Sequence, residues 1–261
     1  MPLIYLQDIR LNAQLTGPKG APALIFAHAL GTDHTIWSRV LKHLPDYQCL
    51  IFDQRGHGAS DCPEPPYTMG ALIRDAERLA DHFQLTNAVM IGVSLGGLVA
   101  QGLAVKRLDQ IRGLVLSNTA ARIGTPEMWQ QRIDIIRRHG LDAYADEAMG
   151  RILGPNFKSH PDLAYLRGLL TNTNPDGWIG CAAAIAGTDF YTTTAGLRLP
   201  TLVIAGANDG TTPPDLVRET ADLIPGHRFA LMRGVGHLPM AEKPAEYAAL
   251  LGSFLQDIGH R

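Results

Sequence analysis

The chain has 261 residues, 46% apolar and 18% charged, with a formal net charge of −2. That length suits one large domain with an insertion or two small ones around a substantial core, and the composition excludes a disordered chain. With no Lys/Arg run longer than two residues, nothing offers a field for nucleic acid or an anionic membrane, so the expected partner is a small molecule.

Residues 1–8 lack a basic stretch followed by an apolar one, and nowhere do eighteen apolar residues run uninterrupted. Cys49, Cys62 and Cys181 are an odd, sparse set without C-x-x-C spacing, which points to neither a disulfide framework nor a zinc site. The expectation is a cytoplasmic protein in a reducing compartment. Residues 3–6 and 9–15, joined near Asp8, read as an opening hairpin, although the second segment alternates only in part. Unbroken apolar runs follow at 23–26, 49–52, 88–91, 114–116 and 202–205, as expected of strands covered on both faces, with a further strand at 229–232. Between them Leu72, Ala76, Leu79, Ala80 and Phe83 recur at helical spacing, 98–104 reads as a buried helix, and Tyr247, Leu250, Leu251, Phe254, Leu255 and Ile258 form a last amphipathic helix. Strand and helix in alternation predict an α/β fold with a mostly parallel central sheet flanked by helices. Only 122–197, which holds Trp129 and Trp178, has no convincing strand; it reads as a helical cap inserted into a core made of 1–121 and 198–261.

Gly92-Val93-Ser94-Leu95-Gly96 stands between the run 88–91 and the helix that follows it. A serine flanked by glycines at that junction fits a cramped strand-to-helix turn that presents the hydroxyl as a nucleophile. A serine hydroxyl is weak at neutral pH and needs a base, and the base needs an orienting carboxylate. Among ten histidines, His237 lies late in the chain in a glycine-flanked loop after 229–232 and is the expected base. Asp209 follows 202–206, between serine and histidine in chain order, and is the expected acid. The position after 114–116 holds Ser117-Asn118-Thr119 and offers no carboxylate, and Asp53 reads as a structural turn residue. His34, His43, His82, His139, His160, His227 and His260 read as solvated, whereas His28 and His57 follow strands but precede the serine. Two main-chain N–H groups must stabilise the oxyanion: that of Leu95 at the helix head and one from the loop 28–31, Leu30 or else Ala29. With no H-E-x-x-H and no G-x-G-x-x-G opening a helix after a strand, neither a metal nor an organic cofactor is expected.

Together Ser94 in G-x-S-x-G-G, Asp209, His237, the 28–31 loop and the Asp53-Gln54-Arg55-Gly56-His57-Gly58 turn resemble the α/β-hydrolase superfamily over the whole chain. Within it, residues 117–129 are similar to the segment leading into the cap of the 3-oxoadipate enol-lactonases, 180–185 to another cap stretch, and 208–214 to that family's acid loop. Ala29 departs from the glycine of many hydrolases and Leu95 from a frequent methionine, but neither change removes a backbone donor. The resemblance implies ring opening of an enol-lactone to 3-oxoadipate through an acyl-enzyme, in bacterial breakdown of aromatic acids. Such a substrate carries a carboxylate, for which Arg132 is the expected cation, one turn beyond Trp129; Arg122, Arg137 and Arg138 are rivals. Trp129 either covers the lactone ring or packs the cap onto the core. Esterases, carbon–carbon hydrolases and perhydrolases can use the same scaffold, as can a ligand-sensing receptor, because fold and triad do not select the substrate. Oligomeric state is not legible in the sequence.

Overall fold

The computed structural model describes residues 1–261. Eight strands, β1 (Leu3–Leu6), β2 (Ile9–Thr16), β3 (Ala23–Ala27), β4 (Gln48–Phe52), β5 (Ala88–Val93), β6 (Ile111–Ser117), β7 (Thr201–Gly206) and β8 (Arg228–Met232), form one sheet in the order β1-β2-β4-β3-β5-β6-β7-β8. The β1–β2 and β2–β4 pairs are antiparallel and every later pair is parallel, which makes this a mostly parallel α/β sheet. β3, β5 and β7 are buried at every residue, so helices cover both faces, and this is why their sequences are unbroken apolar runs. The edges differ: Tyr5 of β1 and Leu231 of β8 are exposed. β6 starts before its apolar segment, because Ile111 and Gly113 still pair with Ala88 and Val89 of β5 across a bulge at Arg112.

The helices are α1 (Ser38–Leu41), α2 (Met69–His82), α3 (Leu95–Lys106), α4 (Pro126–Ile152), α5 (Leu163–Thr171), α6 (Pro175–Ala186), α7 (Tyr191–Ala195), α8 (Pro214–Asp222), α9 (Pro239–Glu242) and α10 (Pro244–Asp257). Thr68 caps α2 by accepting from the Ala71 N–H, and its apolar face lies on α3. α3 is apolar all round and buried from Leu95 to Ala104, because it is held between α2 and strands β3, β5 and β6. α4 to α7 lie consecutively between β6 and β7, with no strand among them. Thr125 and Pro126 start α4, and Asn174 and Pro175 start α6, each a polar cap before a proline whose missing N–H costs nothing there. Gly140 interrupts α4 with φ 77° and ψ 173°, a backbone region open essentially to glycine alone, and kinks the helix. No helix is long and apolar enough to cross a membrane.

Candidate active site

Four neighbouring parallel strands deliver the site at their carboxyl ends, where open α/β sheets meet their ligands. Ser94 follows β5 directly, with φ 56° and ψ −116°, a positive φ that a non-glycine residue keeps only when its surroundings enforce it. The enforcement is visible on both sides. A Cβ on Gly92 would stand 2.1 Å from the Gly96 carbonyl oxygen, and one on Gly96 would stand 2.1 Å from that of Ala27. Both glycines are therefore demanded by close backbone approach, and the Thr119 hydroxyl, donating to the Ser94 carbonyl at 2.8 Å, ties the turn to the end of β6.

Asp209 follows β7 and His237 follows β8. The imidazole Nδ1 lies 2.7 Å from Asp209 Oδ2, with both side chains buried. Thr212 Oγ1 and Asn118 Nδ2 donate to the same oxygen at 2.7 and 2.8 Å, while the Thr211 and Thr212 N–H groups donate to Oδ1 at 2.7 and 3.1 Å. Burial opposes the charge on Asp209, but His237, Asn118 and Thr212 outweigh it and hold the carboxyl below the usual carboxylate range. With Nδ1 engaged by the carboxylate, Nε2 is left for a proton from elsewhere. Ser94 and His237 line one cavity, with no hydrogen bond between them.

The main-chain N–H groups of Ala29, Leu30 and Leu95 find no acceptor in the chain, as an oxyanion-binding role requires. The loop bearing the first two is fixed by the histidines that precede the serine. His57 Nε2 accepts from the Gly31 N–H at 3.0 Å and His28 Nε2 accepts from the Gln54 N–H at 2.9 Å. Their Nδ1 atoms face the Arg55 and Ala29 carbonyls, so both rings are neutral, and burial pushes their pKa values down, that of His57 to about 3. Asp53 is the structural residue its turn suggested: it is buried, Oδ1 takes His34 at N and Nδ1, and Oδ2 takes Asn12 Nδ2 and the Ala59 N–H. Three histidines expected to be solvated are not. His34 is half-buried against Asp53, His227 is half-buried near Asp222, and His260 is buried with Nε2 3.0 Å from the Ala23 carbonyl. His43, His82, His139 and His160 are exposed.

A cavity of about 580 Å³ opens over Ser94 and His237, walled by Leu30, Trp129, Arg132, Tyr144, Arg151 and Trp178 among others, with no acidic side chain in its lining. Trp129 lines this cavity and packs within the α4–α6 layer, 6.3 Å from Trp178, with its indole N–H donating to the Ile123 carbonyl at 2.6 Å. The Arg132 guanidinium lies 4.9 Å over the Trp129 ring and has no hydrogen-bonded or ionic partner. Arg122, Arg137 and Arg138 are exposed and do not line the cavity.

Several residues here escaped sequence reasoning. Asn118 stands where a carboxylate was sought, and its amide donates to Asp209. Thr212 carried a readable signal, since an Asp followed by Thr three residues on commonly closes a side-chain turn. Arg151 and Glu242 carried none. Glu242 accepts from the Gly154 N–H at 2.9 Å and the Gly236 N–H at 2.8 Å, joining the end of α4 to the residue before His237.

Residues 22–244 match the alpha/beta hydrolase fold family. Among curated proteins, 3-oxoadipate enol-lactonase 2 of Acinetobacter baylyi is 36% identical over 209 residues, covering 79% of this chain and 78% of its own. Among solved structures, the enol-lactonase from Burkholderia xenovorans LB400 superposes with a TM-score of 0.94 at 31% identity, over 98% of this chain and 100% of that one. A thermophilic esterase from Thermogutta terrifontis, solved with malate bound, reaches a TM-score of 0.90 at 31% identity, over 97% and 95%. The chain is therefore a hydrolase of the alpha/beta hydrolase fold family, and within that fold it belongs to the family of the 3-oxoadipate enol-lactonases.

Proposed function

We propose that the chain opens the ring of 3-oxoadipate enol-lactone, with Ser94 as nucleophile, His237 as base and Asp209 as the carboxylate that orients it. The observation that carries this reading is one cavity in which a strained serine, an Asp-held histidine and an unpartnered guanidinium converge. Ser94 attacks the lactone carbonyl and His237 takes its proton, while the N–H groups of Leu95 and Leu30 receive the oxyanion. The enol oxygen leaves readily, but it stays tethered to the acyl group, and its high effective molarity favours reclosure until the enol becomes a ketone. Water activated by His237 then releases the second carboxylate. Arg132 binds the carboxylate already present on the ring and Trp129 covers the ring itself. Residues 122–197 act as a cap unit on the core of 1–121 and 198–261; in support, four consecutive helices fill that stretch and bring most of the cavity wall over residues supplied by the strand ends.

The names of the relatives at 36% and 31% identity support the lactone, and the esterase at 31% defines the competing substrate class. Turnover of the enol-lactone should exceed that of a simple aryl acetate in kcat/KM, and Ser94→Ala should lower kcat for both by about 10⁴-fold or more. Equal or better turnover of the aryl acetate would leave a general esterase, and a fully active Ser94→Ala would remove the nucleophile from the scheme.

A further inference from the structure

The wall that α4 gives to the cavity carries two guanidiniums. Arg132 and Arg151 are 19 positions apart, which on a straight helix would separate them by about 28 Å. The Gly140 kink folds the helix between them, and both line the same cavity. Their charges are poorly matched. Arg132 has no acceptor; burial, with repulsion from Arg151 adding to it, pulls its pKa below the ordinary arginine value. Arg151 Nη1 meets Glu147 Oε1 at 2.8 Å and Nη2 donates to the Tyr144 hydroxyl, but Glu147 is largely in solvent and Arg151 Nε is buried with no acceptor at all. Thr211 Oγ1, a further residue of the same lining, is also buried without a partner.

We propose that Arg151 is a second cation of the substrate site, so that with Arg132 it holds the carboxylate of an anionic acyl substrate. The cavity therefore prefers carboxylate-bearing esters and lactones, and dicarboxylic acids, over neutral compounds of the same length. A carboxylate has two oxygens and about four lone-pair directions, enough for the Arg132 fork and a further donor from Arg151 together. Its charge also relieves the repulsion between the two guanidiniums in a site where burial weakens solvent screening. The inference rests on reading the Ser94 cavity as the substrate site, and it does not require the substrate to be an enol-lactone.

Two measurements on the full chain test it: calorimetric binding of adipate, and the ratio of kcat/KM for p-nitrophenyl hydrogen glutarate to that for p-nitrophenyl valerate. Arg151→Met should weaken adipate binding by about tenfold or more and lower the ester ratio by a similar factor, the worth of one charge-assisted hydrogen bond. Arg138→Met removes the same charge from an exposed position on α4 and should change neither. Should the Met variant fail to fold, Arg151→Gln, which can still donate to Tyr144, is read in the same way. A folded variant that binds adipate and separates the esters as the unaltered protein does would overturn the proposal, as would failure of the unaltered protein to bind adipate. Loss of ester preference in Arg151→Met, in a chain inactive on the enol-lactone, would keep this inference and discard the lactone.

Discussion

Asp209 is held by more than its histidine, and Asn118 is the partner most easily isolated. Its amide donates to Asp209 Oδ2 at 2.8 Å and to the Gly236 carbonyl at 3.1 Å, so one side chain orients Asp209 and the His237 loop. Asn118→Ala leaves both acceptors short of a donor in a buried setting. The expected result is a loss of about 1–3 kcal/mol in urea denaturation, and a fall of about tenfold in kcat with KM nearly unchanged. An unaltered kcat would show that Thr212 and the backbone donors suffice. The type of chemistry at this position was legible and its geometry was not: the sequence after 114–116 excludes an acid, but only the β6–β7 pairing, which sets Ser117 beside Ile204, shows that an amide there reaches Asp209.

The elements around His237 are coupled through the end of α4. The His237 N–H donates to the Ile152 carbonyl at 2.6 Å and the Gly210 N–H to that of Arg151 at 3.0 Å, so the helix touches both the His237 loop and the Asp209 loop through its backbone. Glu242, at the end of α9, closes the circuit by accepting from Gly154 and Gly236. Burial raises its pKa, while the two N–H groups it accepts from work the other way. Removing it in Glu242→Ala strands two amides at a largely buried position and should cost about 2–5 kcal/mol, measured by chemical denaturation. Because the released segment contains His237, the proposed base, kcat should fall by a larger factor than KM rises; Glu242→Gln, which keeps an acceptor, should lie between. The sequence suggests nothing of this, since a glycine inside a helix is usually tolerated and Glu242 bears no mark of the two amides it meets.

For the molecule as a whole, the buried pair His28 and His57 makes stability sensitive to acid. Each accepts a main-chain N–H at Nε2, so protonation would turn an acceptor into a donor facing a donor. The folded pKa of His57 is about 3 against an ordinary 6.5, and that of His28 is lowered as well. At these two sites the unfolded chain thus binds more protons than the folded one between pH 6.5 and about 3, so their contribution to stability falls as pH falls through that window. Each of the two can contribute up to about 1.4 kcal/mol per pH unit once its unfolded form is protonated. A Tm series from pH 7 to 4 should descend, and the descent should be shallower in His57→Gln; parallel slopes would assign the acid sensitivity to other groups.

The linear order of residues decided the sheet, the elbow and the three chemical groups, because each depends on local periodicity, on glycine where backbones collide, or on a polar residue directly after a strand. The tertiary structure alone decided what lies around them. Asn118 serves Asp209, His260 is buried through contact with the start of β3, and Arg132 and Arg151 share a cavity because of one glycine kink. Those outcomes depend on residues distant in sequence meeting in three dimensions, and a side chain carries no mark of the partner that packing will bring to it.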